Sequence, residues 1–185
     1  MALLEAKGLT VTYGGLNAND EIDLECQTGK LVGLIGPNGA GKTTFIDAIT
    51  GFTPVTHGYV GFDGVDLNGM RPDARAKLGL VRTFQSLELF EDLTVRDNLL
   101  VAADQPRWYS FLSDIVMPSR GKAAALERID VALNAMELGD LADKHPSDLS
   151  HGQRKLVGVA RALAANPKLL LLDEPAAGLD TKESQ

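Results

Sequence analysis

The sequence predicts an α/β fold, and three observations carry that expectation. The apolar run LVGLI (31–35) feeds directly into the glycine-rich stretch GPNGAGKTT (36–44). A second apolar run ends on two acids, as LLLLDEP (169–175), and the residues between the two alternate short strand-like runs with amphipathic helical ones. Strand, tight loop and helix in succession is the arrangement by which open α/β sheets gather ligands at the carboxyl ends of their strands.

Each element follows from local pattern. The opening LEAKGLTVTYGG carries β-branched residues and closes on Gly14-Gly15, which reads as short strands and a turn. IDLEC leads to a further turn at Thr28-Gly29. LVGLI is continuously apolar, as expected of a strand buried on both faces. Residues 42–49 read as a helix that stops at Gly51, and strands are expected at 59–62, before Asp63-Gly64, and at 78–84, ending at Gln85. From 87 to 165 the character changes: EDLTVRDNLLVAA and AAALERIDVALNAMELGDLA have helical periodicity. QPRWYSFLSDIVMPSRG, between them, has no clear pattern. Pro167 then marks the return to a strand at 168–172. The expected organisation is a first part of an α/β core at 1–86 with an antiparallel β region at its start, an inserted α-helical subdomain at 87–165, and a return to the core at 166–185.

Composition narrows the function. The 185 residues fit one domain with an inserted subdomain. Against 25 acidic residues stand 18 Lys and Arg, a net charge of -7, which argues against a nucleic-acid surface because phosphate backbones demand clustered positive charge. No apolar run approaches the roughly 20 residues needed to cross a bilayer. No leader pattern opens the chain, and the single cysteine, Cys26, forms no internal disulfide, so a cytoplasmic location is expected. Cys26, Met117 and Met136 read as packing residues, and Trp108 and Tyr109 as either a partner contact or a small aromatic core.

The motifs carry chemistry. GPNGAGKT fits G-x-x-x-x-G-K-[ST]. Gly36, Gly39 and Gly41, with Asn38 and Ala40 between them, let successive main-chain amides turn toward phosphate oxygens. The helix that follows adds its own unpaired amides. Lys42 is expected to reach the β- and γ-phosphates, Thr43 to give its hydroxyl to magnesium, and Thr44 to assist. At the end of the second apolar run, Asp173 suits a hard octahedral cation, reached through water, and Glu174 suits a proton acceptor for an attacking water.

Together with Gln85 in RTFQ, LSHGQ at 149–153 and AAGLD at 176–180, these stretches resemble the nucleotide-binding domain of an ABC transporter, over essentially the whole chain. LSHGQ separates this reading from P-loop NTPases in general, with His151 where the family usually has glycine. The runs GLIGPNGAGKTTF, LVRTFQSLELFEDLTVRDNLLVA and DEPAAGLD are similar to the branched-chain amino acid importer ATPases; the urea-uptake and lipopolysaccharide-export ATPases are close alternatives. The resemblance implies ATP and Mg2+ as ligands, with Thr43, Gln85 and Asp173 around the metal. It implies that Tyr13 stacks on adenine, and that Ser150, Gly152 and Gln153 bind the γ-phosphate held by a second ATPase subunit. Asp180 is implied to lie across that dimer interface. Ser150 also suits the cap of the helix after it. Implied partners are the second ATPase subunit, integral membrane permease subunits docking near 87–99 and, indirectly, a solute-binding protein. The implied location is peripheral, on the cytoplasmic face of the cell membrane. The apolar side chains of 87–99 are equally suited to packing inside the helical subdomain.

One departure stands out. His57, His145 and His151 all precede Asp173, whereas the family places a switch histidine well beyond its second motif. The expectation is therefore a chain lacking terminal core elements, with nucleotide binding retained and hydrolysis impaired. A soluble ATPase of translation or DNA repair is disfavoured, since neither a tandem copy nor a coiled-coil insertion is visible. A silent interaction module is disfavoured by the intact Lys42, Asp173 and Glu174.

Overall fold

The computed structural model describes residues 2–83, 88–103 and 120–173, with side chains from 123 in the last stretch. They fall into two compact units, Met1–Leu80 and Val81–Gln185.

In the first unit, β1 (Ala2–Tyr13) and β2 (Leu16–Gln27) form an antiparallel hairpin turned by Gly14 and Gly15, whose φ values of 53 and 90 suit glycine. β3 (His57–Phe62) pairs antiparallel with β1, and β4 (Val65–Asp66) with β3, so the sheet order is β2-β1-β3-β4. The central strand β1 sets Leu4 opposite Phe62 and Ala6 opposite Val60. These four side chains, with Leu9 and Val11, are buried. The strands are longer than the sequence pattern suggests. β1 runs twelve residues because its register slips between Ala6 and Leu9, at Gly8, rather than ending there.

The apolar run 31–35 corrects an expectation. It forms no strand, and Leu31 and Ile35 are 98% and 95% exposed. No described strand pairs with it, and an extended segment without a ladder partner has nothing to close its hydrogen bonds.

Helix α1 (Lys42–Thr50) lies against β1 and β2, burying Phe45, Ile46, Ala48 and Ile49. It stops at Gly51, φ 86, as expected from sequence. The glycine is needed for a second reason: a Cβ there would come within 2.9 Å of Arg75 Nε. Arg75, on the short α2 (Pro72–Lys77), is buried and points at the end of α1. Its Nη1 donates to the carbonyls of Ala48 (2.8 Å) and Ile49 (2.7 Å), Nη2 to Leu67 O (2.7 Å) and Nε to Met70 O (2.9 Å). A guanidinium at a helix C-terminus meets both the orphan carbonyls and the negative end of the dipole. Burial lowers its pKa from the usual arginine range, opposed by the Asp66 carboxylate.

The second unit holds a two-stranded sheet, β5 (Leu80–Arg82) and β6 (Leu169–Leu171), and three α-helices among the described residues: α3 (Val95–Ala103), α4 (Arg120–Ala135) and α5 (His151–Ala164). Val95, Leu99, Ile129, Leu138, Val157 and Ala160 form the heart of their common core, with Met136 packed against it. Thr94 starts α3: its hydroxyl accepts from Asp97 N (3.1 Å) and donates to Asp97 Oδ2 (2.7 Å). The next two amides, of Val95 and Arg96, donate to the carbonyls of Lys144 and Ala142 at 2.9 Å. Asn98, fully buried, ties down the segment before the helix. Its Oδ1 accepts from Phe90 N (2.9 Å) and its Nδ2 reaches the carbonyls of Phe90, Leu93 and Thr94 at 2.9–3.2 Å.

Two substitutions test these anchors. Arg75→Met removes a donor from four carbonyls, of which only those of Ala48 and Leu67 keep a main-chain donor, from Gly51 N and Met70 N, and is expected to cost about 3 kcal/mol in urea unfolding. Asn98→Leu, similar in size but unable to bond, is expected to cost about 2 kcal/mol and to raise protease sensitivity at 88–94.

Candidate functional site

The glycine-rich loop is held from behind by β2. A Cβ on Gly41 would sit 2.3 Å from the Ala18 carbonyl oxygen and 2.8 Å from Asn19 Nδ2, so only glycine fits, and its φ of 82 would strain any other residue. Gly39 has a similar φ of 80, and Ala40 N donates to Pro37 O at 3.2 Å, closing a tight turn. α1 then begins with no side-chain cap and no acid in its first turn. Its first main-chain bond is Phe45 N to Gly41 O at 2.9 Å. The amides of Lys42, Thr43 and Thr44 therefore have no carbonyl one turn back to accept them. Lys42 curls over the loop, its ammonium donating to the carbonyls of Gly36 and Pro37 at 2.8 Å each. An ammonium has three hydrogens, and two are accounted for by these bonds. Thr43 is exposed and Thr44 half-buried. Orphan amides at a positive helix end, a lysine and two hydroxyls form a donor set that fits a polyphosphate.

Tyr13, also in the first unit, is 52% exposed, and its hydroxyl lies 3.1 Å from Thr53 Oγ1, which steadies the ring at the end of β1.

In the second unit, Ser150 caps α5. Its Oγ accepts from Gln153 N at 3.2 Å while Gln153 Oε1 accepts from Ser150 N at 2.9 Å, a reciprocal capping box. The expected cap is present, and Gln153 is the partner that completes it. The amides of His151 and Gly152 lie in the same first turn, with His151 exposed and Gly152 buried. The same helix reaches the segment before α3: Arg154 pairs with Glu91, and Arg161 Nη1 donates to Glu88 O at 2.7 Å. Burial lowers the Arg161 pKa, opposed by the Glu88 carboxylate.

Asp173 follows β6 and is buried, with the Arg82 guanidinium 3.5 Å from its carboxylate, both side chains over nine-tenths shielded. Sequence reasoning missed Arg82; a lone cation inside the apolar run LGLVRTF is the signal that pointed to it. Of the expected docking residues, Leu89, Val95 and Leu99 are consumed by the helical core, whereas Phe90 is 51% exposed. Gln85, Glu174 and Asp180 lie outside the described residues, as do Leu87, Trp108, Tyr109 and Met117. Among the described residues no helix is long and apolar enough to cross a membrane.

The sequence profile of the ABC transporter family matches residues 19–177. The chain belongs to that family. Among curated ABC proteins, it is 37% identical over 185 residues to the high-affinity branched-chain amino acid transport ATP-binding protein BraF of Pseudomonas aeruginosa, covering 98% of this chain and 72% of that one. It is 39% identical over 186 residues to the corresponding protein LivG of Escherichia coli K12, covering 99% and 73%. Among solved ABC structures, an ATP-binding cassette in its ADP conformation superposes with a TM-score of 0.81 at 32% identity, covering all of this chain and 73% of that one. A dimeric cassette in a post-hydrolysis state, bound to ADP and Pi, superposes with a TM-score of 0.74 at 29% identity, covering 97% and 77%. The likeness extends from the motifs to the architecture of an ABC ATPase domain.

Ser150→Ala should lower stability by about 1 kcal/mol through loss of the cap, read by thermal unfolding. Arg82→Met should lower it by about 3 kcal/mol by leaving the Asp173 carboxylate buried without its counter-ion, and Arg82→Met/Asp173→Asn together should recover part of that loss.

Proposed function

We propose that this chain is the ATP-hydrolysing subunit of an importer of branched-chain amino acids, working as one half of a head-to-tail dimer beneath integral membrane permease subunits. The observation that carries the nucleotide part is the uncapped first turn of α1 with the Lys42 ammonium folded over its loop. The substrate part is supported by what the similar transport proteins of Pseudomonas and Escherichia are named for.

Residue roles follow from chemistry. Loop amides from Gly36, Asn38, Gly39 and Gly41, with those of Lys42, Thr43 and Thr44, bind the phosphates, while the Ala40 amide holds the turn on Pro37 O. Lys42 exchanges its carbonyl partners for the β- and γ-phosphate oxygens, trading neutral acceptors for charged ones. Magnesium, when bound, neutralises phosphate charge and favours departure of the ADP oxygen. Thr43, Gln85 and Asp173 are the residues assigned to hold it, Asp173 through water. Glu174 accepts the proton of the water whose oxygen attacks the γ-phosphorus, as the bond to the β–γ bridging oxygen breaks and ADP leaves. Tyr13 presents its half-exposed ring to adenine, its hydroxyl already tied to Thr53.

The first turn of α5, with Ser150, Gly152 and Gln153, serves the γ-phosphate of the nucleotide on the facing copy, and Asp180 organises that interface. Nucleotide thereby favours the closed pair, and its loss the open one. Permease helices dock at the segment carrying the exposed Phe90, which places the chain at the cytoplasmic face of the membrane. Arg154 and Arg161 connect that segment to the helix of Ser150, so movement at one is felt at the other.

Purified protein is expected to bind ATP in a magnesium-dependent way, with any turnover it shows dependent on Glu174. Lys42→Ala should weaken ATP binding about tenfold or more, the worth of a charge-assisted contact to phosphate, and Glu174→Gln should bind ATP but not turn it over. Wild-type protein with no affinity for ATP would refute the reading. In cells, a Lys42→Ala allele should abolish uptake of labelled leucine that the wild-type allele restores; uptake indifferent to the allele would remove the branched-chain assignment while leaving the ATPase.

A further inference from the structure

Gly41 stands between two bonds that meet on one atom. Its carbonyl oxygen accepts from Phe45 N at 2.9 Å, within α1, and from Asn19 Nδ2 at 3.2 Å, across from β2. The other side of the same peptide carries the Lys42 N–H, the first of the amides left open at the helix start. A peptide unit is planar and rigid, with its C=O and N–H pointing in opposite directions. Whatever holds the Gly41 carbonyl therefore also aims the Lys42 amide. Asn19 is 7% exposed, and its Oδ1 has no hydrogen-bond partner among the described residues. Turning the amide over would set that oxygen against the Gly41 carbonyl oxygen, so the donor must face the loop.

An unpaired, buried amide oxygen costs stability, about 1–3 kcal/mol. An apolar side chain of the same size would fill this place on β2 without that cost. We infer that Asn19 is a positioning residue of the phosphate site: it holds the Gly41–Lys42 peptide so that the Lys42 N–H is presented to the nucleotide. This rests on the nucleotide reading above. Asn19 has no contact with substrate in this role, its effect passing through Gly41.

The test compares wild type with Asn19→Leu, which keeps the volume and removes both the donor and the unpaired oxygen, and with Asn19→Asp, which sets an acceptor against the Gly41 carbonyl. ADP and ATP affinities are measured by titration with magnesium present, Tm without nucleotide, and hydrogen exchange at the amides of 42–44. The expected result is a Tm unchanged or raised in Asn19→Leu, with nucleotide affinity reduced about three- to tenfold and weaker protection of the Lys42 amide when nucleotide is bound, since one net hydrogen bond is worth that much. Asn19→Asp should bind more weakly still. Wild-type affinity in Asn19→Leu would overturn the inference, as would losses of affinity in both variants that only track losses in Tm. If wild type itself binds no nucleotide, the functional reading falls and this inference with it.

Discussion

The approach of the Ala18 carbonyl to Cα of Gly41 is the constraint around which the first unit is organised. An added Cβ would lie 2.3 Å from that oxygen, so β2 and the start of α1 are pressed together as closely as main chain allows. This contact sets where the helix begins. It also lets Asn19 reach the Gly41 carbonyl, and the Lys42 N–H on the other side of that peptide points the opposite way. At the other end, Arg75 gathers the Ala48 and Ile49 carbonyls in a space that only Gly51 leaves open. One end of the helix dipole is thus neutralised within the protein, and the other is left for an anion. Capping both ends from inside would have made a more stable helix without a use for its N-terminus.

The second unit treats its helix starts differently. α3 is fully provided for: Thr94 caps it, and two of its first amides donate to the carbonyls of Lys144 and Ala142. α5 keeps Ser150 and Gln153 engaged with each other but presents this cap on an exposed surface. The capping box orders the backbone that carries the amides of His151 and Gly152. Behind it, Arg154 and Arg161 fasten the helix to the Glu88 and Glu91 segment, which Asn98 anchors from the core side.

Much of this was legible in the chain itself. Gly14-Gly15, Gly51 and Pro167 punctuate elements at the expected places because a positive φ or a missing N–H acts locally. The helices α3 and α4 follow from periodicity, and Ser150 reads as the cap of α5 from sequence, whereas its reciprocal bond with Gln153 came from the structure. LVGLI was misread because an apolar run predicts burial only if partners flank it, and strand formation depends on residues distant in sequence. The partners of Arg75, Arg82 and Asn98 were invisible for the same reason. Each is a polar residue whose partners lie in other elements, and nothing in LVRTF or RDNLL says that Asp173 or the Phe90 carbonyl stands opposite.

The sequence by itself determined the residues suited to this chemistry: a glycine-rich loop with Lys42 and Thr43, an acidic pair after an apolar run, and a helix bearing LSHGQ, each defined by spacing along one short stretch. Only the tertiary structure decided which polar side chains hold that chemistry in place. Asn19 against Gly41, Arg75 against the end of α1 and Arg82 beside Asp173 bring together residues that spacing cannot pair. Such contacts depend on close packing, in which a difference of one ångström separates a hydrogen bond from a clash or a gap.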